Sequence, residues 1–307
     1  MRPIADPAYV PDPAPLHIAV IWGDSVSAGG PALAETARRL EGLGFSSLVM
    51  PDAPGQSSAV FPTLAWVAAS TSTLGIGSWV LHTDLHHPLR LARDSAVLHA
   101  LSGGRFTLGL GAGRSHSESD RRAFGVPLDP AGVRLHHLEE TIATIDALFA
   151  GDEVTATVGT YGLEGAQLLV PMASGSPPLL VAGGGDRMLR LAARHADVIG
   201  LALDPLATDD VVRDRIAVVR AEADPLGRRP EFALSIAAVG DRVHPWLRPR
   251  LERYLAQGGA PVPALLSADP GALREGIQRL QREFGISRLV IAPEHVDPIA
   301  AVIPALR

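Results

Sequence analysis

Two glycine-rich stretches carry the residue types that clear backbone for a ligand. Gly183-Gly184-Gly185-Asp186-Arg187 follows the apolar run Leu179–Ala182 and opens a helical pattern. N–H groups at a helix N-terminus therefore face a space without side chains, an arrangement suited to an anion such as phosphate. A plain βα turn has the same composition, and the spacing is not GxGxxG. Gly109, Gly111 and Gly113, inside LSGGRFTLGLGAG (101–113), leave room for something flat to approach a buried strand. The polar RSHSESDRR that follows is not the packed helix of a dinucleotide fold. The pairs His86-His87 and His136-His137 lack i, i+4 spacing, and adjacent side chains diverge, so no metal site is expected. All 27 basic residues are Arg and cysteine is absent, which removes lysine Schiff bases, P-loop lysines, thiolate ligands and Cys nucleophiles. No GxSxG elbow supports an esterase.

The elements that would position these residues alternate along the chain. Strands are predicted at Leu16–Trp22, Ser46–Met50, Leu74–Leu81, Arg105–Leu110, Leu179–Ala182, Val198–Leu201, Phe232–Val239 and Arg288–Ala292, with helical segments between them. PLRLARDSAVLHALS and DPGALREGIQRLQREFG show the proline-first, glycine-last asymmetry of helices. Eight such units predict an α/β fold, a closed (β/α)8 TIM barrel, whose active site is built at the carboxyl ends of the strands. Residues 1–15 read as a proline-rich tail and 16–307 as one domain, with an insertion after the fourth strand at about 114–178. Within it, a helix is expected around Arg134–Phe149, followed by the β-prone VTATVGTYGLEGAQLLV.

Composition narrows the partners. A net charge of -6 without an Arg-dense stripe argues against nucleic acid, and no apolar run reaches the length of a membrane span. Without a signal-peptide pattern at the N-terminus, a cytoplasmic protein acting on a small molecule is expected.

Four segments resemble the bacterial luciferase-like superfamily, and especially its branch of deazaflavin (coenzyme F420)-dependent oxidoreductases. They are GLGFSSLVMPD, LGIGSWVLHTDLHHPLRLARDSAVLHALSGGRFTLGLGAG, AFGVPLDPAGVRLHHLEETIATIDALF and PPLLVAGGGDRMLRLAARHADVIGL, with REFGISRLVIAP similar to the last strand. The resemblance implies a barrel that holds the cofactor ring against a bulge with a non-prolyl cis peptide near Ser78-Trp79-Val80. It places the cofactor phosphate on Gly183–Arg187, with Arg187 as charge partner, and Asp52 near the reactive edge of the ring. An aspartate at a strand end also caps turns. His82, at the end of the third strand, is a candidate proton or hydrogen-bond donor, or a rim histidine. After LGAG, Arg114 and His116 are candidates for binding substrate and Glu118 for protonating it; a salt bridge from Glu118 to Arg121 or Arg122 is the alternative. Trp79 is a candidate for stacking on the ring, and Trp66 is expected in the core.

The chain departs from the family at several of these positions. Ala53 stands where many F420-dependent relatives place a histidine, the usual RHP reads His86-His87-Pro88, and Ala202 and Pro205 replace a hydroxyl and a lysine. The resemblance implies hydride transfer from reduced F420 to an electron-poor C=C, C=N or C=O bond. A reduced-FMN monooxygenase and a cofactor-binding paralogue without turnover are the alternatives. A homodimer is the assembly that the resemblance implies.

Overall fold

Eight parallel strands alternate with helices in the computed structural model, which describes residues 15–23, 26–55, 57–113, 118–169 and 175–306. The strands are β1 (His17–Ile21), β2 (Ser47–Met50), β3 (Gly75–Ser78), β4 (Phe106–Gly111), β5 (Leu179–Gly183), β6 (Val198–Leu201), β7 (Glu231–Ser235) and β8 (Ile286–Ile291). They pair in chain order, and β8 returns to β1 with His17 opposite Arg288, which closes the barrel. The main helices are α1 (Gly29–Gly42), α2 (Val60–Ser70), α3 (Pro88–Leu101), α4 (Ala131–Ala150), α5 (Asp186–His195), α6 (Asp209–Ala223) and α7 (Pro270–Phe284).

Helix α7 illustrates why these segments fold as they do. Asp269 accepts a hydrogen bond from the Ala272 N–H at 2.9 Å, Pro270 occupies the first turn, and Gly285, at φ 68°, ends the helix. Between these signals Leu273, Ile277, Leu280 and Phe284 form one buried stripe. Such stripes, with Leu48, Leu64, Phe106 and Ile291, build the core between helices and barrel. Each large side chain so buried contributes about 1.5–3 kcal/mol.

Three expectations need correction. The predicted strand Leu74–Leu81 stops at Ser78, and only Leu81–His82 resumes pairing with β4. The predicted strand Phe232–Val239 also divides. Its second part, Ala238–Val239, leaves the barrel to join a small sheet with Arg242–Val243 and Leu265–Leu266, over a separate apolar cluster with Leu247 and Leu251. Trp66 is not core. It is 49% exposed, and its indole donates to the Gly30 carbonyl at 2.8 Å.

After β4 the chain forms a short helix (Glu118–Ala123), then α4, then an antiparallel hairpin of Val154–Val158 and Tyr161–Ala166. The β-prone segment in the sequence is this hairpin.

Candidate active site

The bulge after β3 organises the carboxyl end of the barrel. The Trp79–Val80 peptide is cis, at the position expected. Ser78, just before it, is stitched to β4: its hydroxyl accepts from the Gly109 N–H at 2.8 Å and donates to the Gly109 carbonyl at 2.9 Å. The Trp79 N–H donates to the Met50 carbonyl at 2.6 Å. A Cβ on Gly109 would overlap the Ser78 carbonyl oxygen, and one on Gly111 would stand 2.7 Å from Val80 Cγ2. The space at these glycines, expected to admit a flat ligand, is taken by the protein's own bulge.

The Trp79 indole turns into the barrel lumen, between Ala19, Val49 and Val290 on one side and Leu180, Val198 and Ala233 on the other. It is the floor of a cavity of about 840 Å³ at the carboxyl ends of β6, β7 and β8, a size that suits a cofactor with a substrate. Below the indole lies a second cavity of about 200 Å³ near His17, Arg105 and Arg288. The large cavity is walled by Val80, Leu203, Ile236 and Val290, and by Trp246, Leu247 and Pro263 of the segment that follows β7. Two bonds hold that segment on the end of β8: Arg242 donates to the Glu294 carbonyl at 2.9 Å, and the His295 ring bonds the Arg242 carbonyl at 2.9 Å. Burial pushes the His295 pKa down, which keeps this imidazole neutral. Asp204 on the cavity wall is paired with Arg250 at 2.8 Å.

Asp52 follows β2 and is buried. Its Oδ2 accepts the His82 backbone N–H at 3.1 Å and pairs with His86 Nε2 at 2.9 Å. Burial pushes the Asp52 carboxyl up, but the hydrogen bond and charge of His86, with the His82 N–H, outweigh it and hold the group below its ordinary value. His82 is itself buried, which corrects its reading as a rim histidine. His86 was set aside in the sequence because it is one of an adjacent pair. The two rings do diverge: His86 reaches Asp52, whereas His87 packs on Tyr161 with ring centroids 4.9 Å apart. No sequence spacing reports a contact between positions 34 residues apart.

The segment after β4 is clamped from beneath. Arg121, with no exposed surface, forms an ion pair with buried Asp84 in the turn after the bulge. Arg121 is thus a partner of Asp84. Asp120 accepts the Gly55 N–H at 3.2 Å, and Arg134 donates to the Ala112 and Gly113 carbonyls at 2.9 and 2.6 Å. Arg114 and His116 lie outside the described residues, as does the side chain of Glu118.

In the other glycine stretch, Met188 fills the space above Gly183, and the Ala202 carbonyl fills that beside Gly184. Only Gly185 faces open space. Asp186 pairs with Arg215, whereas Arg187 is exposed at the start of α5. The anion-receiving part is thereby reduced to the Gly185 backbone, the α5 N-terminus and Arg187. No group of three or more metal-ligating side chains occurs among the described residues.

Comparison with known proteins agrees with this geometry. An F420-dependent glucose-6-phosphate dehydrogenase of Beutenbergia cavernae is 35% identical over 165 residues, 51% of this chain and 48% of that enzyme, so the match spans about half the length of this relative. A 4-hydroxyprotoasukamycin monooxygenase of Streptomyces nodosus subsp. asukaensis is 30% identical over 267 residues, 80% of this chain and 70% of that enzyme. The structure of an F420-dependent secondary alcohol dehydrogenase in complex with an F420-acetone adduct superposes with a TM-score of 0.76, at 20% identity, over 96% of this chain and all of that one. The family model for luciferase-like monooxygenases matches residues 17–283. With its closed barrel and the cis bulge at the mouth, the chain belongs to the luciferase-like monooxygenase family.

Proposed function

We propose that this protein is an F420-dependent oxidoreductase that reduces an electron-poor double bond in a small, uncharged and largely apolar acceptor. The observation that carries the reading is the cis Trp79–Val80 bulge on the floor of the 840 Å³ cavity, which offers a flat tricyclic ring a firm backing and apolar walls. The deazaflavin, when bound, supplies the hydride. Ser78, Trp79 and Val80 hold the ring, and Asp52, with the His82 N–H on its carboxylate, sits at the ring's reacting edge. Gly185 and Arg187 at the α5 N-terminus take the phosphate. Glu118, Arg114 and His116 are the proposed contacts of the acceptor.

The acceptor class follows from the cavity wall. Its described lining contains no Arg, and its acids are Glu294 and the Arg250-paired Asp204. An anionic substrate would meet an unfavourable field there. The match over 80% of the chain to a monooxygenase supports a second reading, oxygen activation on reduced FMN.

The deciding experiment is a fluorescence and absorbance titration with oxidised F420 and, in parallel, with FMN. Micromolar binding of F420 with weak FMN binding is expected. The reverse moves the reading to oxygen chemistry, which oxygen consumption with reduced FMN then tests, and binding of neither overturns both. Trp66, Val97 and Leu101, exposed on α2 and α3, support a homodimer, to be checked by sedimentation equilibrium.

A further inference from the structure

A polar chamber lies beneath the floor of the large cavity. Successive side chains on a strand point to opposite faces, and Ile18, Leu48, Phe106 and Leu289 belong to the core between barrel and helices. Their neighbours His17, Ser47, Thr107 and Arg288 therefore face the lumen, where they line the cavity of about 200 Å³ at the amino ends of the strands. The space exists because the lumen positions of β3 are Gly75 and Gly77, and those of β1 and β7 include Ala19 and Ala233. His17, Ser47, Thr107 and Arg288 are half-buried there rather than sealed from water.

Hydrogen-bond donors gather in this chamber without acceptors. Arg288 commits Nε and Nη2 to Glu231, at 2.9 and 3.1 Å, and its Nη1 has no partner among the described residues. The Ser47 and Thr107 hydroxyls and the His17 ring likewise make no hydrogen bond among the described residues. Two guanidiniums line the cavity and no carboxylate does. Arg105, the second of them, donates to oxygens of Ala68, Thr71, Leu74 and Ser102, none of them a carboxylate. The acids around the chamber are engaged: Glu231 by Arg288 and Ser287, and Glu41 by the N–H groups of Ser72, Thr73 and Leu74. Burial and the Arg288 charge hold the His17 imidazole below its ordinary value, against the pull of Glu231. An anion beside the ring would reverse that balance.

We propose that this chamber is a second binding site, separate from the ligand cavity above Trp79, for a free tetrahedral oxyanion such as phosphate or sulfate. Its oxygens accept from Arg288 Nη1, the Ser47 and Thr107 hydroxyls and the His17 ring. These donors come from β1, β2, β4 and β8, and convergence from several sides suits a tetrahedral ion better than a planar carboxylate. A water takes about 30 Å³ of liquid, so the chamber holds such an ion with a few waters, and it is smaller than the roughly 300–1,000 Å³ of a cofactor pocket. The ion ties four strands together at the amino end of the barrel, and so stabilises the fold by mass action.

The test is a titration of the full chain with sodium phosphate, sulfate and acetate against sodium chloride at constant ionic strength. Calorimetry reads affinity and histidine-selective NMR reads location. Phosphate and sulfate should half-saturate at or below about 1 mM. The His17 ring signals should move with the same midpoint, whereas those of His136, exposed on α4 beside Glu140, stay in place. Phosphate affinity should survive Arg187→Gln, which removes the charge at the α5 N-terminus. It should fall at least about tenfold when Ser47→Ala and Thr107→Val are combined, since hydrogen bonds to a charged group are lost. An equal response to chloride, tighter binding of acetate than of phosphate, loss of binding in Arg187→Gln, or a His17 signal that does not move overturns the proposal. The NMR arm uses the wild-type protein and decides even where the double variant does not fold.

Discussion

The Ser78 carbonyl oxygen occupies the place where Gly109 would carry a Cβ. Two strands meet so closely there that the hydroxyl of Ser78 and the backbone of Gly109 exchange both hydrogen bonds. Gly109→Ala should therefore force the bulge off β4 and cost about 1–3 kcal/mol or more. Gly185→Ala, at φ -86° with open space around it, is the contrasting change and should leave folding almost unaltered. Thermal melts of the two variants, with F420 titrations alongside, would show whether only the first loses both stability and the ring site.

Arg121 and Asp84 form an ion pair sealed from water. Removing one partner leaves an uncompensated buried charge, so Arg121→Met should cost about 3–5 kcal/mol. Asp84→Asn combined with Arg121→Met should recover much of that loss, because no charge is stranded. Urea denaturation of the single and double variants measures the difference; equal stabilities would mean that the pair does not hold the segment after β4.

Glu41, at the end of α1, accepts backbone N–H groups of Ser72, Thr73 and Leu74 and the Thr73 hydroxyl. The Thr73 N–H, with the Leu74 and Ser72 groups, pulls its pKa down from 4.5 to about 2. A depressed carboxyl stabilises the fold fully above its unfolded value and loses that contribution as pH falls through the folded one. Glu41→Gln should therefore lower the melting temperature at pH 7, and the gap from wild type should shrink between about pH 4.5 and pH 2. A gap independent of pH would mean that the charge contributes nothing.

The described lining of the large cavity contains no Arg, and the proposed acceptor class rests on that wall. Millimolar glucose-6-phosphate should not perturb the F420-loaded protein, whereas uncharged cyclic enones should compete for the same space. Equilibrium binding by ligand-observed NMR distinguishes the two, and tight sugar-phosphate binding would contradict the proposed acceptor class.

Much of the barrel was legible because its signals are local. The segment DDVVRDRIAVVRAEA coincides with α6, and the cis bulge lies where the match to family segments put it. The errors fall where distant chain segments decide the outcome. Gly109 and Gly111 look ready for a ligand until the bulge between β3 and β4 is seen to fill them. Trp66 has a core residue's composition but sits over Gly30 at the surface, because the α1 backbone offers its indole an acceptor. His86 and Asp52 meet only through the closure of β2 against β3, as do Arg121 and Asp84 through the return of the chain after β4.

A single indole also sets the depth of the ligand space. Trp79 lies between the large cavity and the smaller one near the amino ends of the strands, so the barrel interior is two chambers with a partition one side chain thick. Shortening that residue would join the chambers and lengthen the pocket toward the base of the barrel. The depth of the ligand space along the barrel axis is thus set at one position, separately from the segment after β7 that walls its side.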